Sequence, residues 1–127
     1  MLLVVDDADG PVGTVRWDLV QEPGDDPGGS HDWEVSITVA PQRRGQSLAR
    51  PLLRAAEVAL SEAASGKNAG DGSTLTWSGG GAVRAYLAVV NVANQSSMRL
   101  FESSAYLPDL PPDPRGFMRF RKSARVA

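Results

Sequence analysis

The sequence contains no cysteine and a single histidine, His31. The first absence excludes disulfides, thiolate metal ligands and a cysteine nucleophile, and the second excludes a histidine-rich metal site, so we expect no bound metal. A large excess of charge of one sign is also absent, because 13 basic and 15 acidic residues give a net charge of −2. This balance provides no electrostatic reason to expect nucleic acid or an anionic membrane as a partner.

Long apolar runs are absent as well, since none approaches the roughly 20 residues needed to span a bilayer. Residues 1–7 have no basic segment and include two acids, which is not typical of a signal peptide, so we expect a cytoplasmic location. The 127 residues, 42% hydrophobic and 22% charged, favour a single domain over residues 1–127 with a real core.

Alternation of apolar and polar residues predicts most of the strands. Residues 2–5 and 12–20 read as a hairpin, with Val15, Trp17 and Leu19 on one face. Residues 33–39 alternate without a break and form the clearest strand. Further strands are predicted over residues 83–90, which are almost wholly apolar as in a strand covered on both faces, and 117–121.

Two segments have helical periodicity. After Pro41 a stripe of Leu and Ala at helical spacing predicts a helix over residues 46–64, kinked by Pro51. Asn94 is typical of an N-cap and predicts a second, short helix. The glycine-rich residues 65–81 between the two predict a flexible loop. The order β-β-β-α-β-α-β, with one more short strand before the last, indicates an α/β (α+β) class.

The turn between the third strand and the first helix, residues 42–47, has the chemistry of an anion site. A helix start presents unpaired N–H groups and a partial positive charge. Gly45 permits close approach of a ligand, and Arg43, Arg44 and Arg50 add positive charge. The pattern favours phosphate or pyrophosphate, with a plain strand-to-helix turn carrying a solvated basic face as the alternative.

The motif Gln42-x-x-Gly45-x-Ser47 resembles the pyrophosphate loop of the GNAT acetyltransferase superfamily, and residues 94–106 resemble its second conserved segment, which begins at Asn94. The resemblance implies a mixed central β-sheet with a β-β-β-α-β-α-β core, without the family's usual first strand and two helices. It also implies an N-acetyltransferase that moves an acetyl group from acetyl-CoA to a primary amine.

Site residues follow from the same resemblance. The backbone at residues 43–48 would hold the CoA pyrophosphate, residues 34–39 the pantetheine arm, and Asn94 the pantetheine or a water. Glu34 would act as a general base on the acceptor, with a solvated strand carboxylate as the alternative and His31, expected in an exposed loop, as a second candidate. The full set of expected acetyl-CoA contacts is Ile37, Val39, Gln42, Arg43, Arg44, Gly45, Gln46, Ser47, Leu48, Asn94 and Ser97.

The sequence departs from the family pattern at several positions. Ser47 stands where glycine or alanine is usual, and Ala105 stands where glycine is usual. Phe101 stands where many members have a tyrosine that protonates the departing thiolate. The missing front segment would leave the acceptor side incomplete and the hairpin's apolar face short of packing. We therefore expect a homodimer or part of a longer chain, with residues 65–81 folded back as a cover as the alternative. A non-catalytic CoA-binding or oligomerisation module is the alternative function.

Residues 13–18 and 33–41 show a weaker resemblance to acetyltransferases that act on nucleotide-linked amino sugars in nonulosonate or surface-polysaccharide pathways. This resemblance implies an amino sugar or another small metabolite as the amine acceptor. Arg16 and Asp18 share the polar face of their strand and are expected to form a cross-strand ion pair, with contact to the acceptor as the alternative.

Overall fold

A computed structural model describes residues 1–25, 29–64 and 82–124 of the chain. In this part of the chain, strands form one mixed sheet in the order β1-β2-β3-β4-β6-β5, and helices α1 and α2 lie between strands in sequence. The predicted α+β class is confirmed. The loop predicted at residues 65–81 lies outside the described residues. The elements are β1 Leu2–Asp7, β2 Gly10–Val20, β3 His31–Val39, α1 Ala49–Ala64, β4 Val83–Asn91, α2 Gln95–Ser103, β5 Leu107–Leu110 and β6 Phe117–Ser123.

The first three strands form an antiparallel meander, as their alternating pattern predicts. Trp17 pairs with Val35 across β2 and β3, and both side chains are buried in the core with Leu52 of α1. The expectation that the apolar face of this hairpin lacks packing is wrong, because that face lies beneath α1. The Trp17 side chain is fully buried and contacts the Tyr86 ring at 5.4 Å between centroids.

Helix α1 begins at Ala49, three residues later than predicted. Gly45 and Ser47 have φ angles of 81° and 57°, in the left-handed region, so the chain cannot be α-helical there. Pro51 therefore falls in the first turn, where its missing N–H removes no intrahelical hydrogen bond. The kink predicted at Pro51 is replaced by a later helix start.

Strands β3 and β4 are connected through α1 and run parallel, as the crossover requires. Their pairing runs from His31↔Val83 to Glu34↔Leu87 and stops there. Both strands continue further, β3 to Val39 and β4 to Asn91. The two strands therefore part toward their carboxyl ends, and the opening lies next to the start of α1.

Helix α2 begins where predicted, because the Asn94 side chain accepts a hydrogen bond from the Ser97 N–H at 3.1 Å. Beyond α2 the chain turns at Ala105, whose φ of 70° lies in the left-handed region that glycine adopts at least cost. This turn places Tyr106 in the core beside Phe101, with ring centroids 5.0 Å apart.

The two described helices pack on one face of the sheet, the face of Trp17, Tyr86 and Phe120. On the opposite face, the apolar side chains of Leu2 and Val4 are each 65% exposed. No described helix covers this second face, which also contains the polar side chains at alternate positions of β2 and β3.

Candidate active site

A groove of about 900 Å³ opens where β3 and β4 part, between the start of α1 and helix α2. Every expected acetyl-CoA contact lines this groove except Gln42 and Gln46. Residues far apart in sequence therefore meet in one place, because the parallel pair and the crossover helix bring them together. The lining consists of Ile37, Thr38, Val39, Arg43, Arg44, Gly45, Ser47, Leu48, Ala49, Asn94, Ser96, Ser97 and Leu100.

The floor of the groove at the α1 end is backbone. A 3-10 turn over Pro41–Arg43 is followed by the left-handed residues Gly45 and Ser47, and α1 then starts. The space on the side of Gly45 where a Cβ would lie is open, with no atom within 4 Å. The first N–H groups of α1 have no carbonyl one turn earlier to bond, so they carry partial positive charge into the groove.

Arg43 is occupied by a structural contact. Its guanidinium is buried and makes two hydrogen bonds to the Asp7 carboxylate, at 2.9 and 2.5 Å, and one to the Gln46 side chain at 3.1 Å. The hydrogen bond from Arg43 holds the pKa of Asp7 below its ordinary value. The expectation that the Arg43 side chain adds positive charge for a ligand is therefore wrong, since it fastens the turn to β1 and also turns Gln46 away from the groove.

Arg44 is the cation of this turn that lines the groove while remaining exposed. Its Nε donates to the Val39 carbonyl at 3.3 Å, so the rest of its guanidinium is available to an anion. Arg50 lies outside the groove and lines a neighbouring pocket. Of the three arginines grouped in the sequence, Arg43 and Arg44 both line the groove, and Arg44 is the one of these two whose side chain is exposed.

The opposite wall belongs to the start of α2. Asn94 uses its Oδ1 to cap the helix, which leaves its Nδ2 as a donor at the groove rim, beside Ser96 and Ser97. Phe101 is buried in the core and does not line the groove. The phenyl ring is therefore a packing residue in this chain.

Glu34 lies on the last paired rung of β3 and β4, at the point where the two strands part. It is half-buried and faces Asp18 across β2, on the sheet face opposite to α1. It does not line the groove. The carboxylate is thus near the opening between the strands, but on the far side of the sheet from the α1 wall.

Two other sequence expectations are corrected. His31 is 3% exposed and is the first residue of β3, where its N–H donates to the Ala82 carbonyl at 3.2 Å, so it is not an exposed loop histidine. Arg16 and Asp18 do form an ion pair, at 3.0 Å, but within β2 and in solvent. The antiparallel partner of Asp18 is Glu34, which explains why no cross-strand pair forms there.

Sequence reasoning missed two buried carboxylates. Asp32 is 4% exposed and accepts hydrogen bonds at 2.9 Å from both Arg84 and Arg121. Burial alone would raise the pKa of Asp32, but the two guanidinium groups outweigh it and lower the pKa below its ordinary value. Nothing in the local pattern of the sequence marks these partners.

The second buried carboxylate, Glu57 of α1, is 2% exposed. It accepts a hydrogen bond from the Tyr106 hydroxyl at 2.8 Å and another from Lys122 Nζ at 2.9 Å. Burial, with the nearby Glu57 charge, raises the pKa of Tyr106 far above its usual value. The position of Glu57 on the apolar stripe of α1, between Leu53 and Leu60, is the signal in the sequence that indicates a buried carboxylate.

The described residues contain no group of three or more side chains that could hold a metal ion. Within the same residues, no helix is both long enough and apolar enough to cross a membrane.

No family model matches the sequence, and no curated protein matches it. Solved structures do match. A mutant of the spermidine N-acetyltransferase from Vibrio cholerae is 19% identical, with a TM-score of 0.60, and the match covers 96% of this chain and 64% of that one. The spermidine N-acetyltransferase from the same organism in complex with CoA and spermine has 19% identity and a TM-score of 0.60, covering 94% and 62%.

The ribosomal-protein-alanine N-acetyltransferase from Brucella melitensis is 18% identical, with a TM-score of 0.68, and the match covers 96% of this chain and 67% of that one. The chain spans less than two thirds of the length of the spermidine acetyltransferases it matches. The mixed sheet, its parted parallel pair and these likenesses lead to one conclusion: the described chain has the fold of the GNAT N-acetyltransferases.

Proposed function

We propose that this chain binds acetyl-CoA in the groove and transfers its acetyl group to a primary amine. The parting of β3 and β4 after the rung Glu34↔Leu87 carries the proposal. Beyond that rung the edge of β3 that faces β4 has backbone N–H and C=O groups with no strand partner, and such groups need one. An extended pantetheine arm has amides that can bond to this edge as an added strand would.

The phosphate end of the cofactor has a matching partner in the turn before α1. The amides at the helix start, the open space beside Gly45 and the Arg44 guanidinium together favour a pyrophosphate. On the other wall, Asn94 Nδ2 and the hydroxyls of Ser96 and Ser97 are available to the pantetheine portion. The groove therefore offers a donor set along its length.

The chemistry that this arrangement supports is direct attack. The amine nitrogen forms a bond to the thioester carbonyl carbon, the C–S bond breaks, and CoA leaves as a thiolate. A backbone N–H of β3 polarises the carbonyl oxygen, and the groove orients the reactants. Glu34, at the opening between the strands, takes the proton of the ammonium acceptor through a water. Phe101 has no proton to give, so the second proton, which the attacking nitrogen releases as the amide forms, passes through water to the thiolate.

The acceptor is proposed to be the primary amine of a small molecule. The similar structures are named for acetylation of spermidine and of ribosomal-protein alanine, and one of them contains spermine. The proposed acceptors include amino sugars. A polar sheet face with Arg16, Asp18 and Glu34 lies at the acceptor side of the opening and suits a hydrophilic amine.

The cofactor assignment is tested by calorimetry with acetyl-CoA on the variant Gly45→Glu. A carboxylate side chain would occupy the open space at the turn and repel phosphate, so we expect no detectable binding. Gly24→Glu is the matched control, because Gly24 also has a positive φ and open space but does not line the groove. Unchanged affinity in Gly45→Glu contradicts the assignment.

Catalysis is tested by acetylation of a panel of a polyamine, an amino sugar and a peptide amine. We expect turnover of one class, with kcat reduced about 10²-fold or more in Glu34→Gln, in line with the usual contribution of a general base. Binding of acetyl-CoA without turnover of any amine would favour the alternative, a non-catalytic CoA-binding or oligomerisation module. Phe101 is the observation that favours that alternative.

We also propose that a second copy of the chain, or a further segment of a longer chain, covers the sheet face opposite to the helices. Exposed apolar side chains on β1, β4 and β5 support this, since large exposed apolar surfaces mark interaction sites. The same cover would complete the acceptor side of the opening. The residues concerned are Leu2, Val4, Val89, Leu107 and Leu110.

A further inference from the structure

A second pocket, of about 340 Å³, lies further along the crevice between α1 and α2. Arg50 and Arg54 reach it from α1, four residues apart and thus on one face of the helix. Lys122 reaches it from β6, and Ser104 from the end of α2. None of these four residues lines the groove proposed for the pantetheine and pyrophosphate.

The charge in this pocket is not balanced by the described residues. Glu57 is the one carboxylate of the lining, and both its oxygens are engaged, one by Lys122 Nζ at 2.9 Å and the other by the Tyr106 hydroxyl at 2.8 Å. Arg54 approaches Glu57 only to 3.7 Å, and its side chain is 72% exposed. Arg50 makes no ion pair or side-chain hydrogen bond within the described residues. Lys122 and Glu57 cancel, so two guanidinium charges remain.

Ser104 adds a hydroxyl with unused capacity. Its Oγ is buried and has no hydrogen-bond partner within residues 1–25, 29–64 and 82–124. Buried hydroxyl groups nearly always have a partner, so an orphan of this kind at a pocket wall needs an explanation. An anion with several oxygens would accept from this hydroxyl and from the two guanidinium groups together.

We propose that this pocket binds a phosphate monoester. Two uncompensated guanidinium groups and a hydroxyl around a small pocket match the charge and the several acceptor oxygens of that group. CoA is one source of this group, and that source rests on the proposed function. CoA carries a phosphate monoester on the same ribose as its pyrophosphate. Arg50 directly follows Ala49 of the groove, and Arg54 is one helical turn, about 5.4 Å, further on. A free phosphorylated metabolite is the other source of the same chemistry.

The first arm of the test measures the affinities of CoA and dephospho-CoA by calorimetry in the full chain. We expect the chain to bind CoA about tenfold more tightly, a factor within the range of one charge-assisted contact. In Arg54→Gln this ratio should fall toward one, with the affinity for dephospho-CoA unchanged. Arg99→Gln, which removes an exposed α2 arginine that lines neither pocket, should keep the tenfold ratio.

The second arm titrates inorganic phosphate at constant ionic strength and follows the backbone amide signals of Arg54 and Ser104 by NMR. Saturable shifts that Arg54→Gln abolishes support the pocket even if CoA and dephospho-CoA bind equally, and then identify a free phosphate compound as the ligand. If neither nucleotide binds, the proposed acetyltransferase function fails, while the phosphate titration still decides on the pocket. Equal nucleotide affinities together with no saturable phosphate shift overturn the proposal.

Discussion

At the scale of single residues, two glycines meet different demands of the fold. Gly45 has a φ of 81° and open space around it, so its role concerns backbone conformation and access. Gly13 has neither feature. A Cβ at Gly13 would lie 2.3 Å from the Thr38 carbonyl oxygen and 2.9 Å from Leu52 Cδ2, so this position is closed by β3 on one side and α1 on the other.

Gly13→Ala should therefore destabilise the fold by about 1–3 kcal/mol, the usual cost of forcing extra volume into a packed site. Urea denaturation followed by circular dichroism measures the change. The control is Ser36→Ala at an exposed position of β3, which should stay within about 0.5 kcal/mol of the parent. Equal losses in both variants would show that α1 does not pack as closely on β2 as described.

The single carboxylate of Asp32 holds Arg84 and Arg121, which come from two different strands. Asp32→Asn should cost about 1.5–3 kcal/mol, the range for hydrogen bonds to charged groups. We expect the loss of stability to lie near the low end of this range, because the Arg84 and Arg121 side chains are about one third exposed and can be solvated. Thermal and urea unfolding at pH 7 measure the loss, and a parent-like stability would refute the role of this contact.

At the scale of elements, Glu57 joins α1 to the chain that leaves α2 and to β6. Removal of one member of such a buried pair leaves an uncompensated charge, which costs about 3–5 kcal/mol. Lys122→Met should therefore destabilise strongly, somewhat less than this range because the Lys122 side chain is 22% exposed.

The companion variant Glu57→Gln separates the cost of an unpaired buried carboxylate from the loss of the Lys122 side chain itself. In Lys122→Met with Glu57→Gln, no carboxylate is left unpaired, so the double variant should lose less stability than the sum of the two single variants. A double-mutant cycle by urea denaturation measures this coupling. Strict additivity would mean that the two side chains do not interact in solution.

At the scale of the whole molecule, several carboxylates with lowered pKa values link stability to pH. Because the folded pKa lies below the unfolded value of about 3.9, their stabilisation is present above that value and is lost as pH falls through the folded pKa. The thermal midpoint should therefore hold near neutral pH and fall steeply below about pH 4. Asp32→Asn should flatten this fall, and a midpoint independent of pH from 5 to 3 would contradict the account. The groups are Asp7, Asp25, Asp32 and Asp113.

We expect the chain to associate, because exposed apolar side chains lie on the uncovered sheet face. Light scattering at micromolar concentration should show a dimer, and Val4→Glu on the uncovered face should convert it to a monomer. The control is Val58→Glu, at an exposed position on α1, which should leave the dimer intact. A well-folded monomeric parent that still acetylates an amine would refute the need for a partner.

Local patterns in the sequence carried much of the fold. Alternation placed the strands, helical spacing placed α1, and Asn94 marked the start of α2. The groove was also foreseeable, because the glycine turn and the Asn94 segment are each local and the crossover forces the two parallel strands to neighbour. The predicted start of α1 is wrong, since Ser47 has a left-handed φ of 57°, a conformation that a serine in a helical pattern does not indicate.

The apolar faces of the strands and helices follow from periodicity along the chain, which is a local property. The partner of each face and of each charge depends instead on how distant segments come together. The Arg43 guanidinium bonds to Asp7, 36 residues away, and Asp32 bonds to Arg121 across 89 residues. Such pairs form because sheet order and helix packing place them within hydrogen-bond distance, and that placement depends on the whole chain at once.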